Sequence, residues 1–154
     1  MKLVLINPRN PVSLYGDYLW QPLAFGYVAA VTPPHWEIEL IDEQVEGARD
    51  YSDVDADLVG LTAFTPQAPR AYAVAEQFRR RGIPVVMGGI HASLVQGEAS
   101  QHADALFIGE CEQLWPTVVA DVEAGRLQKI YDGGTRGESI VAPNRHIFDR
   151  IRYE

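Results

Sequence analysis

PVVMGGIHAS, residues 84–93, decides how the chain folds. It reads as a buried β-strand that runs into a double glycine, Gly88-Gly89, and then into a helix. Glycine there strips side chains from the carboxyl end of the strand, so the backbone can lie against a large ligand. The same design recurs on either side. DLVGLTAFTPQ (residues 57–67) ends a strand in small and hydroxyl residues, and ALFIGECEQ (residues 105–113) ends one in Gly109-Glu110. Three consecutive strands therefore open at one edge of a sheet, where open α/β folds bind their ligands.

Outward from this centre the rhythm of strand and helix continues. KLVLINP (residues 2–8) is an aliphatic strand ended by Pro8, and residues 10–21 form a long loop carrying Tyr15, Tyr18 and Trp20. Pro22 opens a helix, PLAFGYVAAV, which Pro33-Pro34 stops. WEIELID (residues 36–42) alternates like a half-exposed edge strand, and residues 43–55 read as an acidic loop with one helical turn. Residues 66–81 form an amphipathic helix with Ala71, Val74, Ala75 and Phe78 on one face and Gly82 at its end. A short polar helix over 92–102, a strand over 105–108 and a helix over 112–124 complete the pattern. Repeated βαβ units with aliphatic strands predict an α/β, flavodoxin-like (Rossmann-type) doubly wound sheet. It has five parallel strands in the order 2-1-3-4-5, with helices on both faces. LQKIYDG (residues 127–133) could add one edge strand. Residues 133–154 lack a sustained period and read as a linker or an extension that packs on something else.

A formal net charge of −8, from 13 Lys and Arg against 21 Asp and Glu, disfavours a nucleic-acid partner. Arg79-Arg80-Arg81 closes a helix and complements its dipole. No apolar run is long enough for a membrane helix, and Met1-Lys2 leads straight into a strand, so the expected location is cytoplasmic. Cys111, the single cysteine, excludes an internal disulfide and reads as an inert thiol under the sheet edge.

The first strand is followed by NPRNPV rather than G-x-G-x-x-G, which disfavours NAD or FAD in the usual pose. A phosphate loop of the G-x-x-x-x-G-K-[ST] type is absent, and Asn7-Pro8 does not supply the acidic pair of a phosphorelay receiver. A flavin stays open, with TAFTPQ as its phosphate loop. A corrinoid also calls for small residues at three adjacent strand ends, because its nucleotide tail needs a path beside the sheet.

Here the chain resembles the amino-terminal cobalamin-binding domain of cobalamin-dependent radical SAM enzymes. The resemblance is carried by KLVLINP, PLAFGYVAAV, the run from DLVGLTAFTPQ to PVVMGGIHAS, and HADALFIGECEQLWPTVVADVEAGRLQKIY. Within that family's pattern, Thr62-Ala63-Phe64 resembles the S-x-L element and Gly88-Gly89 matches the double glycine. The third element, D-x-H-x-x-G, would supply a histidine to the lower face of cobalt from the loop after the first strand. That loop reads Asn7-Pro8-Arg9. Asp42 to Gly47 imitates the element but follows the second strand, so the imitation is a coincidence.

The resemblance implies base-off cobalamin with no axial histidine, held by Asn7, Arg9, Thr62, Ala63, Phe64, Thr65, Gly88, Gly89, Ile90, His91, Gly109 and Glu110. Arg9, or another residue of the loop up to Trp20, would face the lower side of cobalt, unless Arg9 is a plain surface charge. His91 either bonds the corrin amides or caps its helix. His35, His102 and His146 have no second ligand at metal spacing. Residues 1–132 would be the cobalamin domain, and 133–154 the connector toward a radical SAM barrel that carries a 4Fe-4S cluster and S-adenosylmethionine. Its chemistry would be methyl transfer to an unactivated carbon, or a cobalamin-assisted cyclisation or rearrangement. The competing readings are a non-catalytic flavodoxin-like interaction or sensor module and a flavin or nucleotide domain.

Three thiolates cannot come from one cysteine, so this chain alone should release no 5′-deoxyadenosine from S-adenosylmethionine. Incubation with iron, sulfide and dithionite checks this. Product above a protein-free control would contradict it.

Overall fold

The computed structural model describes residues 1–11, 20–135 and 141–153. Tyr15 and Tyr18 of the first loop, and Gly137 of the tail, lie outside the described residues. The strands are β1 (Lys2–Asn7), β2 (Glu37–Asp42), β3 (Leu58–Thr62), β4 (Val85–Gly88), β5 (Ala105–Ile108) and β6 (Ile130–Asp132). The helices are α1 (Leu23–Val31), α2 (Glu43–Glu46), α3 (Ala68–Arg79), α4 (Gly89–Leu94), α5 (Gln96–His102) and α6 (Trp115–Glu123). Single 3₁₀ turns precede α3 (Thr65–Gln67) and lie in the tail (Arg145–Phe148).

All pairings are parallel and the order is β2-β1-β3-β4-β5-β6. The five expected strands stand in the expected order, and among the described residues the count is corrected to six. The sixth is IYD, three residues long, with Tyr131 buried between exposed neighbours. Gly125, at φ 64°, turns the chain out of α6 so that it returns alongside β5. The helix expected over 92–102 is also corrected. It is two helices broken at Val95, and the first begins at Gly89 with no loop after β4. Gly89 takes a φ of 87°, a left-handed turn that only glycine adopts cheaply, and this converts strand to helix within one residue.

Side-chain alternation divides the interior into two cores, as a sheet covered on both faces requires. On one face Val4, Val59 and Met87 pack against Ala71, Val74 and Phe78 of α3. On the other, Leu3, Leu5, Leu58 and Val86 meet Phe25 of α1 and Trp115 and Val118 of α6.

The carboxyl ends of β1 and β2 are tied by a buried polar network. Asn7 Nδ2 donates to Asp42 Oδ1 at 2.8 Å, and Gln67 Nε2 donates to Asn7 Oδ1 at 3.1 Å and to the Pro8 carbonyl at 2.6 Å. Next to it, the Glu43 carboxylate accepts both forks of Arg70 at 2.9 and 2.5 Å, the Tyr51 hydroxyl at 2.9 Å and the Arg9 backbone N–H at 2.9 Å. The tail reaches the same place. The Asn144 N–H donates to the Gly26 carbonyl, Phe148 is buried, and the Tyr153 hydroxyl donates to Asp42 Oδ2 at 2.8 Å. Residues 141–153 thus lie as a strap over α1 and β2.

Burial opposes ionisation of Glu43, but Arg70, the Arg9 N–H and Tyr51 outweigh it and hold the carboxyl below its ordinary value. Its contribution to stability is therefore present above pH 4.5 and is lost as the pH falls through that lowered value. Glu43→Gln should cost about 3 kcal/mol at pH 7, since it strands part of Arg70. The deficit should shrink below pH 4, as read by chemical denaturation at both pH values. An equal deficit at both would mean that Glu43 is protonated in the fold.

Candidate ligand site at the carboxyl edge

The period of two along each strand puts Gly60 and Thr62 of β3, Gly88 of β4 and Gly109 after β5 on the same face as Leu5, Val86 and Phe107. That face is filled with aliphatic side chains toward the amino ends and bare toward the carboxyl ends. The result is a cavity of about 150 Å³ between the sheet, α1 and α6. Phe25 and Val28 of α1 form one wall, and Trp115 of α6 another. The Trp115 indole N–H donates to Thr32 Oγ1 at 3.0 Å, and that hydroxyl donates to the Val28 carbonyl at 2.7 Å. The indole's one donor is thereby consumed by its own packing.

The glycines differ in what they do. A Cβ on Gly60 would meet Leu5 Cδ2 at 2.7 Å, and one on Gly89 would meet Thr62 Oγ1 at 2.6 Å on a backbone already left-handed. A Cβ on Gly109 would strike the Gly134 carbonyl of the loop that crosses above it. Gly60 and Gly88 have extended backbones, and of the four only Gly88, at φ −123°, has its nearest neighbour, the Phe107 carbonyl, at an ordinary 3.4 Å. Its bareness serves the cavity, whereas Gly89 and Gly109 are glycines that their own backbones demand.

Of the residues singled out in the sequence, the cavity gathers Thr62, Gly88, Gly89 and Gly109. Phe64, Ile90 and Leu94 stand exposed, and none of them lines the cavity. Glu110 is exposed, and its N–H donates to the Gly134 carbonyl. Ala63 is buried, and its carbonyl accepts from the His91 N–H at 3.0 Å. His91 is buried as well, with Nε2 2.6 Å from the Tyr72 hydroxyl and Nδ1 3.3 Å from the exposed Thr65 hydroxyl. It stacks α4 against α3 and positions Thr65. Asn7 is held in the β1–β2 network, and the Arg9 side chain is exposed at its border. Trp20 is 74% exposed.

The sequence reading passed over Gly60, Phe25 and Val28, and it took Trp115 for core or edge packing rather than a ligand contact. An isolated glycine within an apolar strand, VGLT, was the available signal for Gly60. The aromatic pair had none, since 90 residues of chain separate Phe25 from Trp115. Among the described residues no cluster of His, Cys, Asp or Glu could hold a metal ion.

Cys111 also lines the cavity, and burial together with the adjacent Glu112 pushes its thiol up to about 12. Alkylation by iodoacetamide should therefore keep rising about tenfold per pH unit from pH 8 to pH 10. A plateau near pH 8.5 would place the thiol in water instead.

Comparison with known proteins identifies the family. Residues 12–119 match the B12 binding domain family. The bacteriochlorophyllide d C-8(2)-methyltransferase of Chlorobaculum tepidum is 44% identical over 110 residues, 71% of this chain and 24% of that protein. The C-12(1)-methyltransferase of the same organism is 27% identical over 134 residues, 84% of this chain and 29% of that protein. An uncharacterized methyltransferase of Pyrococcus horikoshii is 27% identical over 143 residues, 84% of this chain and 31% of its own. The chain thus spans 24 to 31% of the length of these curated relatives. Glycines bare one face of the sheet at its carboxyl edge, and the family match runs through the ends of β3, β4 and β5: the chain belongs to the B12 binding domain family.

Proposed function

We propose that this chain is the cobalamin-binding part of a cobalamin-dependent radical SAM methyltransferase, and that it holds cobalamin base-off with no axial histidine. The observation that carries the reading is the cavity beside Gly60, Gly88 and Gly109, in a chain of the B12 binding domain family. An apolar cavity of about 150 Å³ admits a benzene-sized ring. Such a slot would seat the aromatic ring of a nucleotide tail released from the metal.

When bound, cobalamin would supply the methyl-carrying cobalt, and the tasks of the chain are to bind and to orient. Gly88 leaves the sheet bare where the tail would pass. Thr62, at the strand end, offers the cavity a hydroxyl. Thr65, positioned by His91, and the exposed side chains of Phe64 and Ile90 would border the corrin. The Asn7-Pro8-Arg9 backbone, pinned by Gln67 and Glu43, would form the floor beneath cobalt. No histidine occurs between Asn7 and Gln21, which supports a lower face without imidazole.

The methyl acceptor would be a carbon, as the names of the two Chlorobaculum relatives suggest. A radical SAM barrel joined after the strap would bring the 4Fe-4S cluster and S-adenosylmethionine. No helix of the described residues is long and apolar enough to cross a membrane.

The test is incubation of the chain with hydroxocobalamin, desalting, and the absorption spectrum of what remains bound. The base-off spectrum is expected. Gly88→Val places two methyl groups in the cavity at a backbone angle that valine accepts, so affinity should fall at least tenfold while the melting temperature changes little. Unaltered affinity in a folded G88V chain would remove the tail from this cavity. Gly89→Val is no substitute, because its φ of 87° would damage the turn itself.

A further inference from the structure

We infer that the cavity discriminates among cobamides by the polarity of the nucleotide base, accepting benzimidazole and rejecting purine. This rests on the reading of the cavity as the seat of the tail and adds a specificity to it.

The argument is an inventory of hydrogen-bonding groups. Phe25, Val28, Val86, Phe107 and Trp115 present hydrocarbon or ring faces to the cavity. The one indole donor is consumed by Thr32, which does not line the cavity. The Thr32 hydroxyl in turn is spent on the Val28 carbonyl. Two polar side chains line the space, Thr62 at the strand end and the neutral Cys111 thiol, a weak donor. No charged side chain lines it.

Dimethylbenzimidazole, linked to its ribose through one nitrogen, has one free ring nitrogen and two methyl groups. Adenine in the same position has three free ring nitrogens and an exocyclic amine. Each of those polar groups leaves water on entry, and burying one without a partner is unfavourable. The methyls of the benzimidazole gain what the purine loses. An apolar pocket rejects a more polar ligand only moderately, by up to about 100-fold, because the polar groups left unpaired are the ligand's and not its own. Trp115 and Cys111 are therefore specificity residues: Trp115 by presenting a face without a donor, Cys111 by holding a neutral thiol where a hydroxyl could stand.

The experiment titrates the full 154-residue chain with three corrinoids in the same aquo form: cobalamin, its adeninyl analogue, and cobinamide, which has no nucleotide. Cobalamin should bind on the order of 10- to 100-fold more tightly than the adeninyl cobamide. It should also bind more tightly than cobinamide. Cys111→Ser, which adds a competent donor and acceptor at constant size, should narrow the cobalamin-to-adeninyl ratio several-fold. A merely structural effect would weaken both ligands and leave the ratio unchanged. Equal affinities for all three would show that the corrin binds without the tail entering the cavity, overturning this inference and leaving cobalamin binding intact. Tighter binding of the adeninyl form would also overturn it. Binding of none would overturn the cobalamin reading and this one together.

Discussion

Every strand runs the same way, so six carboxyl ends meet at one edge, and side chains beyond any strand alternate between two faces. This geometry constrains everything that follows. A change of residue type at the third or fifth position of a strand is felt on one face at one height, and nowhere else. The chain uses it by placing Gly60, Gly88 and Gly109 on the face covered by α1 and α6, while Leu61, Met87 and Leu106 fill the opposite face beneath α3. One side of the sheet is solid and the other is hollow at its upper end. A cavity built this way is supported by the solid half, which is why it can stay open between packed helices.

The polar network at the ends of β1 and β2 answers a different demand. Buried carboxylates are costly unless fully paired, and Asp42 and Glu43 are adjacent in sequence and both buried. Each is met by several donors from separate elements, including backbone N–H groups. Among the described residues no cation pairs with Asp42, and burial raises its carboxyl above the ordinary value despite Tyr153, the Gln44 N–H and Asn7. Glu43 has Arg70 and moves the other way. Two neighbouring acids are thereby set apart by a single guanidinium. The exposed pairs elsewhere, such as Arg80 with Glu76, contribute little by comparison.

Much of this was legible in the residues. Aliphatic runs bounded by glycine and proline gave five strands, and alternation in WEIELID marked β2 as the edge. What stayed hidden has identifiable causes. IYD is too short for a period of two to rise above chance, so β6 stood only as a possible addition. Gly-Gly reads as a breaker, and nothing in the letters says that Gly89 starts α4 by turning left-handed in one step. Residues 43–55 were read as an acidic loop with one helical turn, and α2 is that turn, but its burial was not foreseen. Here Glu43 is among the most buried side chains, a fact set by Arg70, Tyr51 and Arg9, which no local pattern links to it. Of the site, the strand-end glycines and threonine were legible as local anomalies. The walls from α1 and α6 were not, because packing partners across a sheet carry no mark in sequence.

The strap has a consequence for how a following module would behave. Tyr153 is anchored at the carboxyl end of β2, and so the described chain leaves the fold at the edge where the cavity opens. A barrel joined beyond that point would begin its path beside the ligand rather than across the domain from it. Short tethers between two binding surfaces raise their effective concentration, to the millimolar range or above. Closure over the corrin would then need little intrinsic affinity between the two halves, and they could part and rejoin during turnover without becoming lost to one another.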